Sequence, residues 1–249
     1  MASQYIELMF TGLLQHFGPP LRGLPSQCAV CHAWDWQRLC ADCITRYVAP
    51  CPRCERCAIE VPIGVRTCGA CLKQPPPFEH ALAAVDYKYP WDGLITALKF
   101  HAGLDLATVL AQRVIEAYGK GELPRPGWLL PVPLSAQRLR ERGYNQAWEL
   151  ARRVAPALGC TTHPRWLLRV KDSPQQLSLP LAQRAANVRG AFAVAPRRAD
   201  ELREQTVAVL DDVMTSGATA AEIARTLLGA GAKSVQVWVV ARTPRITDL

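Results

Sequence analysis

From residue 78 onward the apolar positions alternate between two periods. Ala81 to Tyr87 is a short, mostly apolar run and predicts a strand. Trp91 to Phe100 and Leu104 to Tyr118 repeat at three and four, as one-sided helices do. Trp128 to Pro133 is apolar and bounded by Pro126-Gly127 and Pro131-x-Pro133, which predicts a buried strand running into a loop. Tyr144 to Leu158 is helical again and Trp166 to Val170 extended. Thr206 to Leu210 predicts a strand, Ala218 to Gly231 a helix closed by Gly-Ala-Gly, and Ser234 to Val240 a further strand. Strands alternating with helices predict an α/β class domain over residues 78–249, a mostly parallel sheet covered by helices. In such sheets ligands sit at the carboxyl ends of the strands. Chemistry is therefore to be sought just after Pro131, Val170 and Leu210.

Residues 28–74 follow neither period. Nine of the ten cysteines lie between Cys28 and Cys71, as Cys28-x-x-Cys31, Cys40-x-x-Cys43, Cys51-x-x-Cys54-x-x-Cys57 and Cys68-x-x-Cys71. A turn of that length points two thiolates at one ion, and two such turns complete a four-sulfur site. Four repeated pairs without a signal sequence favour zinc over disulfides, and an iron–sulfur cluster uses the same ligand type. The simplest pairing is Cys28, Cys31, Cys40 and Cys43 for one structural zinc, then Cys51, Cys54, Cys68 and Cys71 for a second. Cys57 is a possible substitute in the second set. With few large apolar side chains, this small cysteine-rich module depends on metal for its fold. Gln74-Pro-Pro-Pro77 reads as a stiff linker. The organisation expected is an extension over 1–27, a double zinc ribbon over 28–74 and the α/β domain over 78–249.

Composition sharpens this picture in two ways. With 49% apolar and 20% charged residues, the chain is not a disordered tail. No run approaches the ~20 apolar residues of a membrane span. The Tyr5 to Leu14 stretch is interrupted by Glu7, Thr11 and Gly12, which argues against a secretory signal and for a cytoplasmic location without membrane contact. The net charge of +8 is concentrated: residues 131–190 hold ten Lys and Arg against three acidic residues, while 1–130 hold twelve against eleven and 191–249 seven against seven. A segment with that surplus meets an anion, whether phosphate, diphosphate or nucleic acid.

The most informative segment follows Leu210. Asp211 and Asp212 stand at the end of a buried strand, where charge is costly unless met by something polar. Then come Val213, Met214, Thr215, Ser216, Gly217, Ala218 and Thr219, and a helix. Amides at a helix start, flanking hydroxyls and a glycine that permits close approach make a phosphate cradle. Thr219-x-x-Glu222 also fits a capping box.

The segment Leu210-Asp-Asp-Val-Met-Thr-Ser-Gly-Ala-Thr219 resembles the 5-phosphoribosyl-1-pyrophosphate (PRPP) motif of type I phosphoribosyltransferases. Together with the cysteine ribbons it resembles the ComF family, amidophosphoribosyltransferase-like proteins linked to natural competence. The likeness runs from about Cys28 to the C-terminus through Leu98-Lys99-Phe100, Pro131-Val-Pro-Leu134, Arg138 to Gln146 and Gln176 to Phe192. Ser216 replaces the family's usual threonine, and an extra cysteine falls in the Cys51 to Cys57 stretch.

This resemblance implies that Asp211 and Asp212, the catalytic pair, bind the ribose hydroxyls and that Thr215 to Thr219 hold the 5′-phosphate. Magnesium neutralises the departing pyrophosphate. Pro133, Arg138, Arg140 and Arg142 supply a pyrophosphate-binding segment, and Arg169, Lys171 and Arg184 belong to a lid that extends to Arg189. No residue reads as an acceptor pocket or a general base. The function expected is a PRPP- and magnesium-binding protein of the phosphoribosyltransferase class acting in uptake of transforming single-stranded DNA, with a competence-associated helicase or DNA-processing proteins as partners. The alternative is a nucleic-acid-binding or PRPP-sensing adaptor without turnover.

Overall fold

The computed structural model describes residues 25–101, 103–171 and 188–244. The chain divides into two compact units, Met1–Ile44 and Thr45–Leu249. The smaller unit contains the antiparallel pair β1 (Ser26–Gln27) and β2 (Trp34–Asp35), and the helix α1 (Ala41–Tyr47) starts within it. The Gln74–Pro77 linker falls inside the larger unit, so the second set of cysteines shares a compact unit with the α/β sheet.

Within the larger unit, α2 (Gly69–Lys73) closes the second cysteine cluster. The sheet is built from β3 (His80–Asp86), β4 (Trp128–Pro131), β7 (Thr206–Met214) and β8 (Ser234–Arg242), all parallel, in the order β3-β8-β7-β4. Between β3 and β4 lie α3 (Trp91–Phe100) and α4 (Leu106–Gly119). Between β4 and β7 lie α5 (Ala136–Arg142), α6 (Gln146–Leu158), the antiparallel pair β5 (Leu167–Arg169) and β6 (Phe192–Val194), and α7 (Ala199–Leu202). The helix α8 (Ala218–Gly229) joins β7 to β8.

The central strands β7 and β8 are buried on both faces, which explains their continuous runs of Val, Ala and Leu. Alternation along them assigns the two layers. Val207, Val209, Val237 and Val239 share one core with Ile223, Ala224 and Leu227 of α8 and with Leu167 and Phe192 of the β5–β6 pair. Trp238 turns to the other side, where its ring packs 4.9 Å from that of Tyr118 on α4. Helix α6 follows on α4 and β4, with Leu150, Ala151 and Val154 fully buried. Each such leucine or valine contributes about 1.5–3 kcal/mol of burial.

Two boundaries differ from the pattern-based expectation in a way that matters. The strand expected to stop at Leu210 continues to Met214, because β8 also continues and pairs Asp211 with Val239, Val213 with Ala241 and Met214 with Arg242. The acid pair therefore sits inside the strand. The segment after Leu134, expected as loop, is the helix α5. Ser135 caps it by accepting from the Arg138 amide at 3.3 Å, and Gly143 at φ 82° ends it. Only glycine adopts that left-handed conformation without strain.

Candidate functional site

The carboxyl ends of β4, β7 and β8 open into a cavity of about 550 Å³. Its wall brings together Asp211, Asp212, Val213, Met214, Thr215, Gly217, Ala218 and Thr219 from the β7–α8 connection, Pro133, Arg138 and Arg142 from beyond β4, and Arg169 from β5. Segments as far apart as Pro133 and Thr219, 86 positions in sequence, thus converge, as the switch-point geometry of a parallel sheet dictates. Arg140 and Lys171 are exposed and do not line the cavity, and Ser216 faces outward with its Oγ accepting from the Ala218 amide at 3.3 Å. Arg184 and the Gln176 to Asn187 stretch lie outside the described residues.

Asp212 is buried at 3% exposure, and Lys99 Nζ meets its Oδ2 at 2.8 Å. Burial works against the lysine charge, but the Asp212 carboxylate outweighs it and holds Lys99 above the ordinary lysine value. Asp211 accepts the Asp212 amide at 2.9 Å. Burial, then the neighbouring Asp212 charge, push Asp211 up to about 8 against the opposing pull of Lys99. Burial holds Arg142 below the ordinary arginine value, with Asp212 drawing it back up.

Lys99, in sequence a landmark within Leu98-Lys99-Phe100, is in the structure the counter-cation of the acid pair. Its helix end is gripped from the basic segment. The Tyr144 hydroxyl donates to the Leu98 carbonyl, and the Arg142 guanidinium lies 4.8 Å from the Phe100 ring centroid. A lysine in the last turn of an apolar helix ending at the sheet's carboxyl edge was the available signal.

The capping box does not form. Helix α8 starts at Gly217, φ 80°, with no side-chain cap. Glu222 instead accepts the Gly190 amide at 2.6 Å and the Arg225 guanidinium at 3.0 Å. Glu222 therefore does not cap the first turn of α8, whose Gly217, Ala218 and Thr219 line the cavity wall.

The cysteines form two tetrads, Cys28, Cys31, Cys40 and Cys43, and Cys54, Cys57, Cys68 and Cys71, each with its sulfurs within 4.8 Å of one another. Sγ separations of 3.6 Å for Cys31–Cys40 and 3.7 Å for Cys57–Cys68 match the ~3.8 Å edge of a tetrahedron with ~2.3 Å zinc–sulfur bonds. The residues present fit structural zinc in both places. Burial raises Cys28 and Cys68, but amide donors, led by Cys31 and Cys71 respectively, bring them down to about 6 and about 7. Burial pushes Cys43 and Cys71 upward.

The second tetrad corrects the expected ligand set: Cys57 belongs to it and Cys51 does not. The Cys54 amide bonds the Ile59 carbonyl at 2.8 Å and the Ala58 amide the Cys54 carbonyl at 2.7 Å, with Ala58 at φ 54°. This tight turn folds Cys57 back under Cys54. Cys51 precedes it and stands instead beside Glu60 and Asp86, the latter paired with Arg53 at 2.9 Å and Lys88 at 3.2 Å.

A four-stranded parallel sheet covered by helices, with an acid pair and hydroxyl-rich turn at its carboxyl edge and a cysteine-rich N-terminal module, defines an α/β protein with a polar cavity at the carboxyl ends of its strands. Over 234 residues the chain is 34% identical to the DNA utilization protein YhgH of Salmonella typhi, covering 88% of this chain and 98% of that protein. It is 33% identical over 208 residues to competence protein F of Haemophilus influenzae, covering 82% and 90%. The chain belongs to the family of these proteins, the ComF family. No family model matches it. Among solved structures it is similar to a glutamine PRPP amidotransferase from B. subtilis, at 17% identity and TM-score 0.35, over 55% of this chain and only 27% of that longer one. It is also similar to an L. donovani hypoxanthine-guanine phosphoribosyltransferase, at 16% identity and TM-score 0.31, over 60% and 71%. Among the described residues, no helix is long and apolar enough to cross a membrane.

Proposed function

We propose that this protein binds PRPP with magnesium at Asp211 to Thr219 and serves in the handling of single-stranded DNA, as its relatives' names, DNA utilization and competence, suggest. The observation that carries the reading is the convergence of Asp211, Asp212, Thr215 and Thr219 with Arg138, Arg142 and Arg169 on one cavity. The turn from Thr215 into α8 would hold the 5′-phosphate with hydroxyls and helix-start amides. The carboxylates would take the ribose hydroxyls and stabilise positive charge developing at the anomeric carbon, while the arginines receive the diphosphate. Magnesium, when bound, would neutralise diphosphate oxygens. Asp211 is the hard oxygen donor available for it, since Asp212 is already countered by Lys99.

The charge surplus supports a nucleic-acid role beyond the small ligand. Of the ten cations in residues 131–190, Arg138, Arg142 and Arg169 line the cavity, whereas Arg140, Arg165, Lys171 and Arg189 are exposed outside it. More positive charge is present than one diphosphate needs, and a polyanion uses the remainder. The acceptor of any transfer has no assigned pocket, so an adaptor that senses PRPP without turnover is the second reading. Calorimetry of magnesium and PRPP with wild type and Asp211→Ala/Asp212→Ala tests the first element, and absence of heat from wild type refutes it. Product analysis after incubation with PRPP and single-stranded DNA or nucleobases separates transferase from sensor.

A further inference from the structure

Arg242, the last residue of β8, is buried at 7% exposure. A guanidinium out of water must find acceptors for its donors, and Arg242 finds them in two functionally different places. Its Nε donates to the Cys57 carbonyl at 2.9 Å. Its Nη1 donates to the Met214 carbonyl at 2.9 Å, to the Thr215 carbonyl, and to the Thr243 carbonyl at 2.9 Å. Cys57 is a member of the second cysteine tetrad; Met214 and Thr215 open the phosphate-cradle turn. One planar, rigid group is therefore bonded both to the backbone of a metal knuckle and to the backbone of the cavity wall.

The surroundings make the link stiff. The Ala81 amide bonds the Glu55 carbonyl at 2.8 Å, and the Thr243 amide bonds the Met214 carbonyl at 3.1 Å. Ala58, next to Cys57, is fully buried in the same core as Met214, Val239 and Ala81. The ribbon itself buries little besides its sulfurs, chiefly Ile59 and Val61. A metal ion in the tetrad would tie Cys54 and Cys57 to Cys68 and Cys71, so its loss frees the Cys57 end of the turn from that second knuckle. If the Cys57 carbonyl moves, a buried guanidinium short of one acceptor must reorient, and it does so against Met214 and Thr215.

We propose that Arg242 is a positioning residue through which metal occupancy of the Cys54, Cys57, Cys68 and Cys71 cluster sets the conformation of the Met214 to Thr219 turn. Metal loading thereby regulates phosphate binding, and by reciprocity ligand binding alters the metal site. The coupling rests on the tetrad holding metal; its consequence for phosphate rests on the proposed PRPP reading.

The test uses the full chain. First, amide exchange is followed in residues 214–219 of metal-loaded wild type, metal-stripped wild type and metal-loaded Arg242→Lys. Exchange at least tenfold faster in the latter two, with the middle of β7 and β8 still protected, is expected. Unchanged exchange in a folded, metal-stripped protein overturns the proposal whatever PRPP does. Second, cadmium-113 replaces zinc and its resonance in the second tetrad is followed during titration with magnesium and PRPP. A shift in wild type that is absent in Arg242→Lys is expected; PRPP binding that leaves the wild-type resonance unmoved, or moves it equally in the variant, overturns the link. If PRPP gives neither heat nor shift while exchange still answers to metal, the phosphate reading falls and the coupling stands. Should Arg242→Lys fail to fold, the two wild-type arms decide.

Discussion

The assignment of the second metal site has a direct consequence for two cysteines that the spacing alone does not distinguish. Cys57→Ser removes a sulfur that lies 3.7 Å from Cys68 within the tetrad, whereas Cys51→Ser removes a thiol outside it. A site with one thiolate replaced by a hydroxyl binds zinc far more weakly, so at ordinary free zinc the Cys57→Ser protein holds one ion per chain and Cys51→Ser holds two. The stability difference follows from mass action. A ligand present at a thousand times its dissociation constant stabilises the folded state by about 4 kcal/mol. For a domain of this size, with about 2–4 °C per kcal/mol, the loss corresponds to a fall in Tm on the order of 8–16 °C for Cys57→Ser. Cys51→Ser, which touches neither tetrad, shifts Tm by no more than about 2 °C, the effect of a surface change under about 0.5 kcal/mol. Zinc is counted by metal analysis after exhaustive dialysis, and unfolding is followed by circular dichroism. Two retained ions in Cys57→Ser together with one in Cys51→Ser would refute the ligand assignment and the geometry behind it.

Further outcomes follow from the site itself. Lys99→Met leaves the buried Asp212 without its counter-cation and destabilises the protein by about 3–5 kcal/mol, with Asp212→Asn restoring most of the loss in the double variant; urea unfolding measures both. Asp211 has its folded value raised to about 8, so the folded state keeps a proton there that the unfolded chain has released. That contribution is lost as pH rises from about 4 through 8, and stability of the wild type falls across this window relative to Asp211→Asn. If Asp211 holds magnesium as proposed, the same proton competes with the ion, so the affinity for magnesium and PRPP rises with pH up to about 8 more steeply in wild type than in Asp211→Asn, as calorimetry at several pH values will record. Glu222→Gln loses the charge-assisted bond to the Gly190 amide and costs about 1.5–3 kcal/mol, read as a lower urea midpoint at constant slope. If Arg140, Arg165, Lys171 and Arg189 all contact a DNA backbone, the plot of log affinity against log salt for a labelled single strand has a slope of about −2.8, and replacing all four by Ser flattens it.

Much of this molecule is legible along the chain because the relevant physics is local. Alternating periods are imposed by the pleat of a strand and the pitch of a helix, so the parallel α/β sheet, the places of most of its elements and the order Asp-Asp, hydroxyls, glycine, helix could be read without coordinates. Paired cysteines at a spacing of three likewise announce metal knuckles, since one tight turn suffices to aim two thiolates. What the folded chain alone decides is which partners distant segments find. Cys57 rather than Cys51 completes the second tetrad because a left-handed Ala58 closes the turn. Glu222 abandons its local cap for Gly190, thirty-two residues away. The acid pair lies within β7 because β8 extends beside it. Lys99 and Arg242, each unremarkable in its own stretch, become the counter-cation of Asp212 and the cross-link between the Cys57 knuckle and the Met214–Thr215 turn. A buried charge takes whichever partner the packing of the sheet brings within reach, and that choice is made by tertiary contact, which no local period records.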